Sequence, residues 1–417
     1  MKDILFLCQF FYPEYNSSAT LPFDTAEYLA NNGYSVDAMC GYPKEYTKQK
    51  WLPLNERVNG VGIRRLRYLQ PSRGGKLGRL INYFSFTLAA LLHIGALRNY
   101  RVVIVYSNPP VLPIVPIIAS ALFKTKFIFV AYDIYPEVAY ASNSLKRGGM
   151  IDKAMRAINR RLYKRASKIV TLTEEMRQFV LEHRPEADAS RVCVIPNWAH
   201  EGTVPATKEA YRHFGYNEGD FIVSYFGNMG VCQDTETLLE AMQMLKDDEE
   251  IQFLIAGHGS KLPALKEATE GFENVKIMDF LLDEEFEQAL AISSCGIVSL
   301  EKGLTGTCAP SKYYSYLQSG CPVIAIADEG SYLSKDVEQE QIGCHVNAGD
   351  GEELVRVLKA LCADRHMQAE MAQRASAAHE NNYAKPIAMK EYCSVISAVL
   401  GGDEKQEGDA IPEANEL

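Results

Sequence analysis

The chain has 417 residues, 47% of them hydrophobic and 23% charged, with a formal net charge of −10. This length exceeds what one hydrophobic core usually serves, so two domains of roughly 200 residues are expected. The composition excludes a disordered or low-complexity chain, and no internal repeat is visible.

Residues 4–8 open the chain as an apolar run of strand type. Residues 22–31 then read as a helix closed by Gly33, and 35–40 as the next strand. Six basic residues, Arg64, Arg65, Arg67, Arg73, Lys76 and Arg79, lead into the apolar stretch 80–97. That pattern suits a helix lying at an anionic membrane surface, or a core helix behind a solvated basic approach. Asn82, Ser85, His93 and the short length argue against a membrane span. Residues 102–106 and 127–130 are further strand runs, separated by a helix candidate at 112–123, and 169–173 and 192–195 complete the half. Residues 196–218, rich in Pro, Gly and charge, read as the interdomain linker. A second strand series runs through 221–226, 253–256, 275–278, 296–300 and 322–325, with helices at 235–245 and 311–318. This alternation is the rhythm of two α/β, Rossmann-like doubly wound domains. The expected organisation is a first domain at 1–195, a second at 196–385, a helix at 386–400 folding back on the first domain, and a disordered acidic tail at 401–417.

Residues 1–200 carry 27 Lys and Arg against 15 Asp and Glu, a balance of +12, which leaves −22 on the remainder. The basic half suits a phosphorylated substrate or an anionic membrane surface. No zinc-finger spacing or aromatic-basic platform points to nucleic acid. The ten cysteines are scattered without metal or C-x-x-C spacing and read as reduced core residues. No basic leader precedes the first strand, so the expected location is cytoplasmic.

Ligands of open parallel sheets sit beyond the carboxyl ends of strands, so the segment after each strand is informative. After 221–226 come Gly227-Asn228-Met229-Gly230 and Gln233; after 253–256 come Gly257-His258-Gly259-Ser260-Lys261. Such turns let backbone approach a phosphate, although tight-turn geometry alone also explains glycine there. His258 is a ligand contact or a solvated loop histidine. Ser311 and Lys312 open the next segment. A lysine in a helix's first turn opposes the macrodipole, a placement that makes sense where an anion binds; otherwise it is a surface lysine. In the first half, Glu14, Asn16, Ser17 and Ser18 come after the first strand where a ligand loop belongs, without G-x-G-x-x-G. Asp133, just past 127–130, acts on a hydroxyl or an oxocarbenium-like centre, or caps a helix.

Phe11-Tyr12-Pro13-Glu14, Asp133-Ile134-Tyr135-Pro136, Pro196-Asn197-Trp198, Gly227-Asn228-Met229-Gly230 with Gln233, and Pro310-Ser311-Lys312 through Gly320-Cys321-Pro322-Val323-Ile324 occur in this order. Together they resemble the family-4 glycosyltransferases of GT-B architecture, over nearly the whole chain to about residue 400. The nearest branch is the bacterial one that builds capsule, O-antigen and colanic-acid-type polysaccharides. The resemblance implies two Rossmann-like domains facing across a cleft, a nucleotide-sugar on the second and an acceptor on the first. It implies no cofactor and no metal, with the nucleotide-sugar, UDP before GDP, as a substrate. By the same resemblance Gly227, Asn228, Met229, Gly230 and Lys312 contact the donor diphosphate, Gly257, His258, Gly259 and Lys261 help form the nucleotide pocket, and Gln233 and Ser311 also bind the donor. Asp133 and Lys312 are the catalytic candidates; Glu14, Asn16, Ser17 and Ser18 face the acceptor, a soluble or polyprenyl-diphosphate-linked glycan. Retention of configuration is implied too. Two acids that the family usually carries are here Thr307 and Ser315, and a common Gly-Gly pair is Ser17-Ser18. A sugar-nucleotide epimerase of the same fold and an inactive nucleotide-sugar-binding partner of a membrane assembly stand as alternatives.

Overall fold

A computed structural model of the chain describes residues 1–44, 46–71, 76–141, 144–199 and 202–401. Arg73 and the acidic tail from 402 lie outside the described residues. Eight strands form the first sheet: β1 (Lys2–Leu7), β2 (Val36–Gly41), β3 (Asn55–Val58), β4 (Val61–Leu66), β5 (Tyr100–Tyr106), β6 (Lys126–Ala131), β7 (Lys168–Thr171) and β8 (Val192–Val194). Their order is β3-β4-β2-β1-β5-β6-β7-β8, parallel throughout except for the β3–β4 hairpin. Six parallel strands form the second: β9 (Phe221–Asn228), β10 (Ile251–His258), β11 (Val275–Met278), β12 (Cys295–Ser299), β13 (Val323–Ala327) and β14 (Gly343–Asn347), in the order β11-β10-β9-β12-β13-β14. In each sheet the winding reverses beside the first strand, at β1 and at β9, which is where an open sheet leaves its ligand crevice.

Both sheets are covered on both faces. Along β1, Ile4 and Phe6 enter one core layer while Leu5 and Leu7 enter the other; along β9, Ile222 and Phe226 separate likewise from Phe221, Val223 and Tyr225. Strands buried on both faces lose the polar alternation of a half-exposed strand, which is why these runs read as continuously apolar. The helix Lys385–Leu400 contributes Ala388, Met389, Tyr392, Val395, Ile396 and Val399 to the first sheet's core, and its Ser397 hydroxyl lies 3.0 Å from the Tyr34 hydroxyl.

The structure departs from the sequence reading in several places. The first helix is Ser17–Asn31, five residues longer at its start, with Pro22 inside it; burial of Ala19, Leu21, Ala26 and Leu29 outweighs the hydrogen bond that proline removes. The segment read as a linker contains the helix Lys208–Phe214, capped by the Thr207 hydroxyl and closed by Gly215 at φ 78°. Arg65 belongs to no solvated basic approach: it is 2% exposed, donates to the Pro53 and Tyr12 carbonyls, and pairs with Glu56. The apolar stretch 80–97 divides into the helix Lys76–Leu92 and a 3-10 turn, Ile94–Asn99. Phe86 and Ala90 face the core, while Leu77, Leu80, Ile81, Phe84, Leu88 and Leu92 are exposed. Among the described residues no helix is long and apolar enough to cross a membrane.

The short helix Lys312–Gln318 is set against β9 by Tyr316. A Cβ at Gly296 would overlap the Tyr316 ring, so glycine admits it. β12 pairs with β9 only at Val223 and Ser224. Where that pairing stops, the Tyr316 hydroxyl donates to Ser224 O and accepts from Phe226 N–H, both at 3.1 Å. Tyr316→Phe is therefore expected to cost about 1–3 kcal/mol, because two buried backbone groups lose their partner. Denaturant unfolding measures it, and an unchanged midpoint would show that the hydroxyl holds nothing.

Candidate active site

The two glycine turns form one surface at the carboxyl ends of β9 and β10. Gly227 opposes Gly257 and Asn228 opposes His258 in register. Met229 N–H donates to His258 O at 2.7 Å, and Lys261 N–H to Met229 O at 3.0 Å. The glycines serve different ends. A Cβ on Gly257 or Gly259 would strike the backbone of Gly227 or Met229, so these two let one turn lie on the other. Gly227, at φ 107°, has only the Lys312 side chain before it, with Cε 3.9 Å from a Cβ built there. Gly230 N–H is taken by the Gln233 side chain at 3.0 Å, and Met229 is fully buried, so both stabilise the turn rather than project from it.

Lys312 begins its helix and reaches over β9, with Nζ 3.4 Å from Asn228 O and 3.4 Å from the centroid of the Tyr225 ring. Among the described residues no carboxylate pairs with it. Burial pushes its pKa well below the usual lysine range. The carbonyl and ring face soften the cost of desolvating the ammonium but carry no net charge, so the position favours an incoming anion. Burial first, then the nearby Lys312 charge, also hold the His258 imidazole below its ordinary pKa. Lys261 differs: its ammonium pairs with Glu301 and donates to Gln233 O at 2.8 Å.

The first domain supplies the opposite wall. The Ser17 hydroxyl stands 3.3 Å from that of Ser311. Asn16, just before the helix Ser17–Asn31, has both side-chain polar atoms buried without a protein partner. Buried amides of that kind call for a ligand or water. Glu14 is buried, and its carboxylate accepts from Phe11 N–H within its own loop. Ser18 is half-buried beside Ser17.

Asp133 lies where the domains cross. Its backbone forms an isolated antiparallel bridge with Cys308, Ile134 N–H donates to Thr307 O at 2.7 Å, and the Ser107 hydroxyl accepts from Asp133 N–H at 3.0 Å. The carboxylate accepts no hydrogen bond among the described residues, and burial pushes its pKa up to about 6. A second crossing is made by Glu175, whose carboxylate accepts from Gly306 N–H at 2.9 Å and from Tyr332 N–H, at the start of the helix Tyr332–Gln339, at 3.1 Å.

Tyr225, Glu301, Glu175 and the aromatic group Tyr15, Tyr46, Phe280 and His258 carry no local sequence pattern that marks them as a set. Tyr15 stacks on Phe280 with centroids 5.6 Å apart, and Tyr46 and Phe280 lie 5.7 and 5.2 Å from the His258 ring. Strand register offers one usable signal: Tyr225 stands two residues before Gly227, at the last inward position of β9.

Residues 23–198 match the family described as "Glycosyl transferase 4-like domain", and residues 220–364 the one described as "Glycosyl transferases group 1". The chain belongs to the family-4 glycosyltransferases of GT-B fold. It is 24% identical over 311 residues to the probable glycosyltransferase WbjE of Pseudomonas aeruginosa, covering 73% of this chain and 76% of that protein. It is 21% identical over 339 residues to the putative colanic acid biosynthesis glycosyl transferase WcaI of Escherichia coli K12, covering 78% and 83%. A solved Anabaena protein, HepE in complex with UDP and glucose, shares the fold with a TM-score of 0.73, 15% identity and coverage of 95% and 100%.

In this glycosyltransferase Thr307 is buried and donates its hydroxyl proton to Leu304 O at 2.7 Å, so it organises the loop before Lys312. The loop's other anchors are carboxylates from elsewhere: Asp328 accepts from Gly303 N–H at 2.8 Å and from the Thr305 hydroxyl at 3.0 Å, and Glu175 takes Gly306. Ser315 is half-buried on the next turn of the helix.

Lys312→Ala is expected to weaken nucleotide-sugar binding roughly 10- to 150-fold, the equivalent of about 1.5–3 kcal/mol for a charged hydrogen bond. Calorimetry checks this, and unchanged affinity would remove Lys312 from the donor site. With a carboxyl pKa of about 6, Asp133 ionises as the pH rises through that value. A kcat/KM that needs the carboxylate therefore climbs below about pH 6 and levels above it, and Asp133→Asn lowers kcat and abolishes that limb. Stability has the opposite sign. The raised pKa contributes stability below the unfolded carboxylate value, and this is lost as pH rises through about 6. At pH 7.5 the Asn variant should then be no less stable than the parent, and full activity in it would leave Asp133 a purely structural role.

Proposed function

We propose that this glycosyltransferase moves a hexosyl group from a UDP-sugar, in preference to a GDP-sugar, to a growing bacterial surface polysaccharide of capsule, O-antigen or colanic-acid type. The acceptor is a glycan carried on polyprenyl diphosphate at the cytoplasmic face of the plasma membrane. The observation that carries the reading is the half-buried Lys312 ammonium, without a carboxylate partner among the described residues, over the Gly227 turn and next to Ser311, whose hydroxyl meets that of Ser17. A leaving nucleoside diphosphate would neutralise that charge as negative charge develops on its oxygen. Asp133, on the opposite wall, is then the carboxylate nearest in chemistry to what an oxocarbenium-like centre needs. Departure and attack on one face of the sugar fit transfer with retention.

UDP is favoured because the Anabaena protein of the same fold was solved with UDP and glucose. The polysaccharide reading leans on WcaI, whose name places it in colanic acid biosynthesis. Contact with an anionic bilayer is supported by the exposed apolar face of Lys76–Leu92. The test is a panel of UDP- and GDP-sugars with polyprenyl-diphosphate-linked and soluble acceptors, read by product analysis. Transfer from a UDP-sugar to the lipid-linked glycan with the donor's anomeric configuration is the expected result. Conversion of the donor to its epimer without acceptor, or inverted product, would overturn the reading.

A further inference from the structure

Between Glu56 and Asp133 the chain has no Asp or Glu at all, yet it has 11 Lys and Arg. Four of them, Arg98, Arg101, Lys124 and Lys126, converge on a cavity of about 280 Å³ completed by Met1, Tyr100, Phe123, Thr125 and Leu400. It lies where β5 and β6 begin, at the end of the first sheet opposite the cleft. Among the described residues no carboxylate side chain lines it.

Two of the four cations have structural partners. Arg101 donates to Leu400 O at 3.0 Å and pairs with Asp3 at 3.2 Å, and Lys126 donates to Val399 O at 2.5 Å. Both satisfy carbonyls at the carboxyl end of Lys385–Leu400. The side chains of Arg98 and Lys124 make no hydrogen bond or ion pair among the described residues. Lys124 stands at φ 59°, the left-handed position after the helix Ile114–Phe123 where glycine is the usual residue. Backbone geometry therefore does not account for a lysine there, and although Asp3 offsets Arg101, placing Lys124 with Arg98 and Lys126 is unfavourable unless a further anion enters. The lip is apolar: Phe123 lines the cavity, and the adjoining Leu122 is 65% exposed. A cationic cup with an apolar lip matches a phosphate attached to acyl chains better than a free anion.

We propose that this cup binds the phosphate of an anionic phospholipid headgroup. It thereby anchors the first domain on the bilayer at a second point, besides the apolar face of Lys76–Leu92. The proposal rests on the membrane-contact reading above and gives that contact a specific headgroup seat.

The experiment uses the full chain with vesicles of phosphatidylcholine alone or with phosphatidylglycerol, at low salt. The double variant Arg98→Gln/Lys124→Gln is expected to bind the phosphatidylglycerol vesicles roughly 30-fold more weakly than the parent. A control with the same charge change on the second domain, Lys246→Gln/Lys266→Gln, should lose only a few-fold. Equal losses in the two variants, or none in the first, overturn the headgroup seat while the membrane reading stands. That reading is tested separately by Phe84→Ser/Leu88→Ser, which removes apolar contact without touching the cup. A parent protein that ignores phosphatidylglycerol vesicles overturns both. Calorimetry with soluble glycerol 1-phosphate gives the last arm. Millimolar or weaker binding that competes with vesicles supports a lipid seat, whereas micromolar binding to this soluble ester assigns the cup to a free phosphate ester instead.

Discussion

The candidate active site is organised around one placement, the half-buried Lys312 ammonium held at the end of β9 with a ring face and a carbonyl for company. Removing an ammonium from water is among the most unfavourable local events in a folded chain. The surrounding structure makes sense as what tolerates it. Gly296 admits Tyr316, Tyr316 takes over the hydrogen bonds of β9 where β12 leaves off, and the helix thereby begins where Lys312 reaches the Gly227 turn. Lys261, one turn away, has Glu301 as counter-ion and so offers little to an anion. Two lysines on the same surface thus differ in electrostatic state, because Lys261 has a carboxylate partner and Lys312 has none among the described residues.

Across the cleft the carboxylate is treated in the same way. Asp133 is held by its backbone, through Cys308 and Ser107, while its side chain is left without donors. Fixing the main chain and starving the side chain of partners preserves a group whose charge is poorly solvated before substrate arrives. On the proposed reading, unsatisfied groups of opposite charge in the two domains suit a departing anion and a cation-like sugar.

Much of this is legible in the sequence. Runs buried on both faces announce themselves, so most strands of both sheets can be read within a residue or two. Elements whose burial is mixed cannot: β4 carries Arg64 and Arg65 in its middle, and only the pairing of Arg65 with Glu56 explains a guanidinium inside the domain. The helix Lys208–Phe214 escapes a sequence reading although Thr207 and Gly215 mark its ends, because seven residues are too few to show periodicity. At the site, the glycine turns and Lys312 are visible from their position after strands. The reasons for the glycines are not, since Gly257 and Gly259 serve the neighbouring turn and only tertiary contact reveals that. Glu175 and the Tyr15, Tyr46, Phe280 and His258 group come from separated stretches of chain, and no local pattern links them.

Glu175 reaches from one domain to cap a helix and a loop of the other, and the nature of that fastening bears on how the enzyme lets go. A carboxylate and two backbone N–H groups lose little when they part in water, because solvent offers each an equivalent partner. Interlocked apolar side chains have no such substitute. The Glu175 contacts are of the first kind, whereas the Tyr15–Phe280 stack across the same boundary is of the second, so the two domains are held both by bonds that water can replace and by ones it cannot.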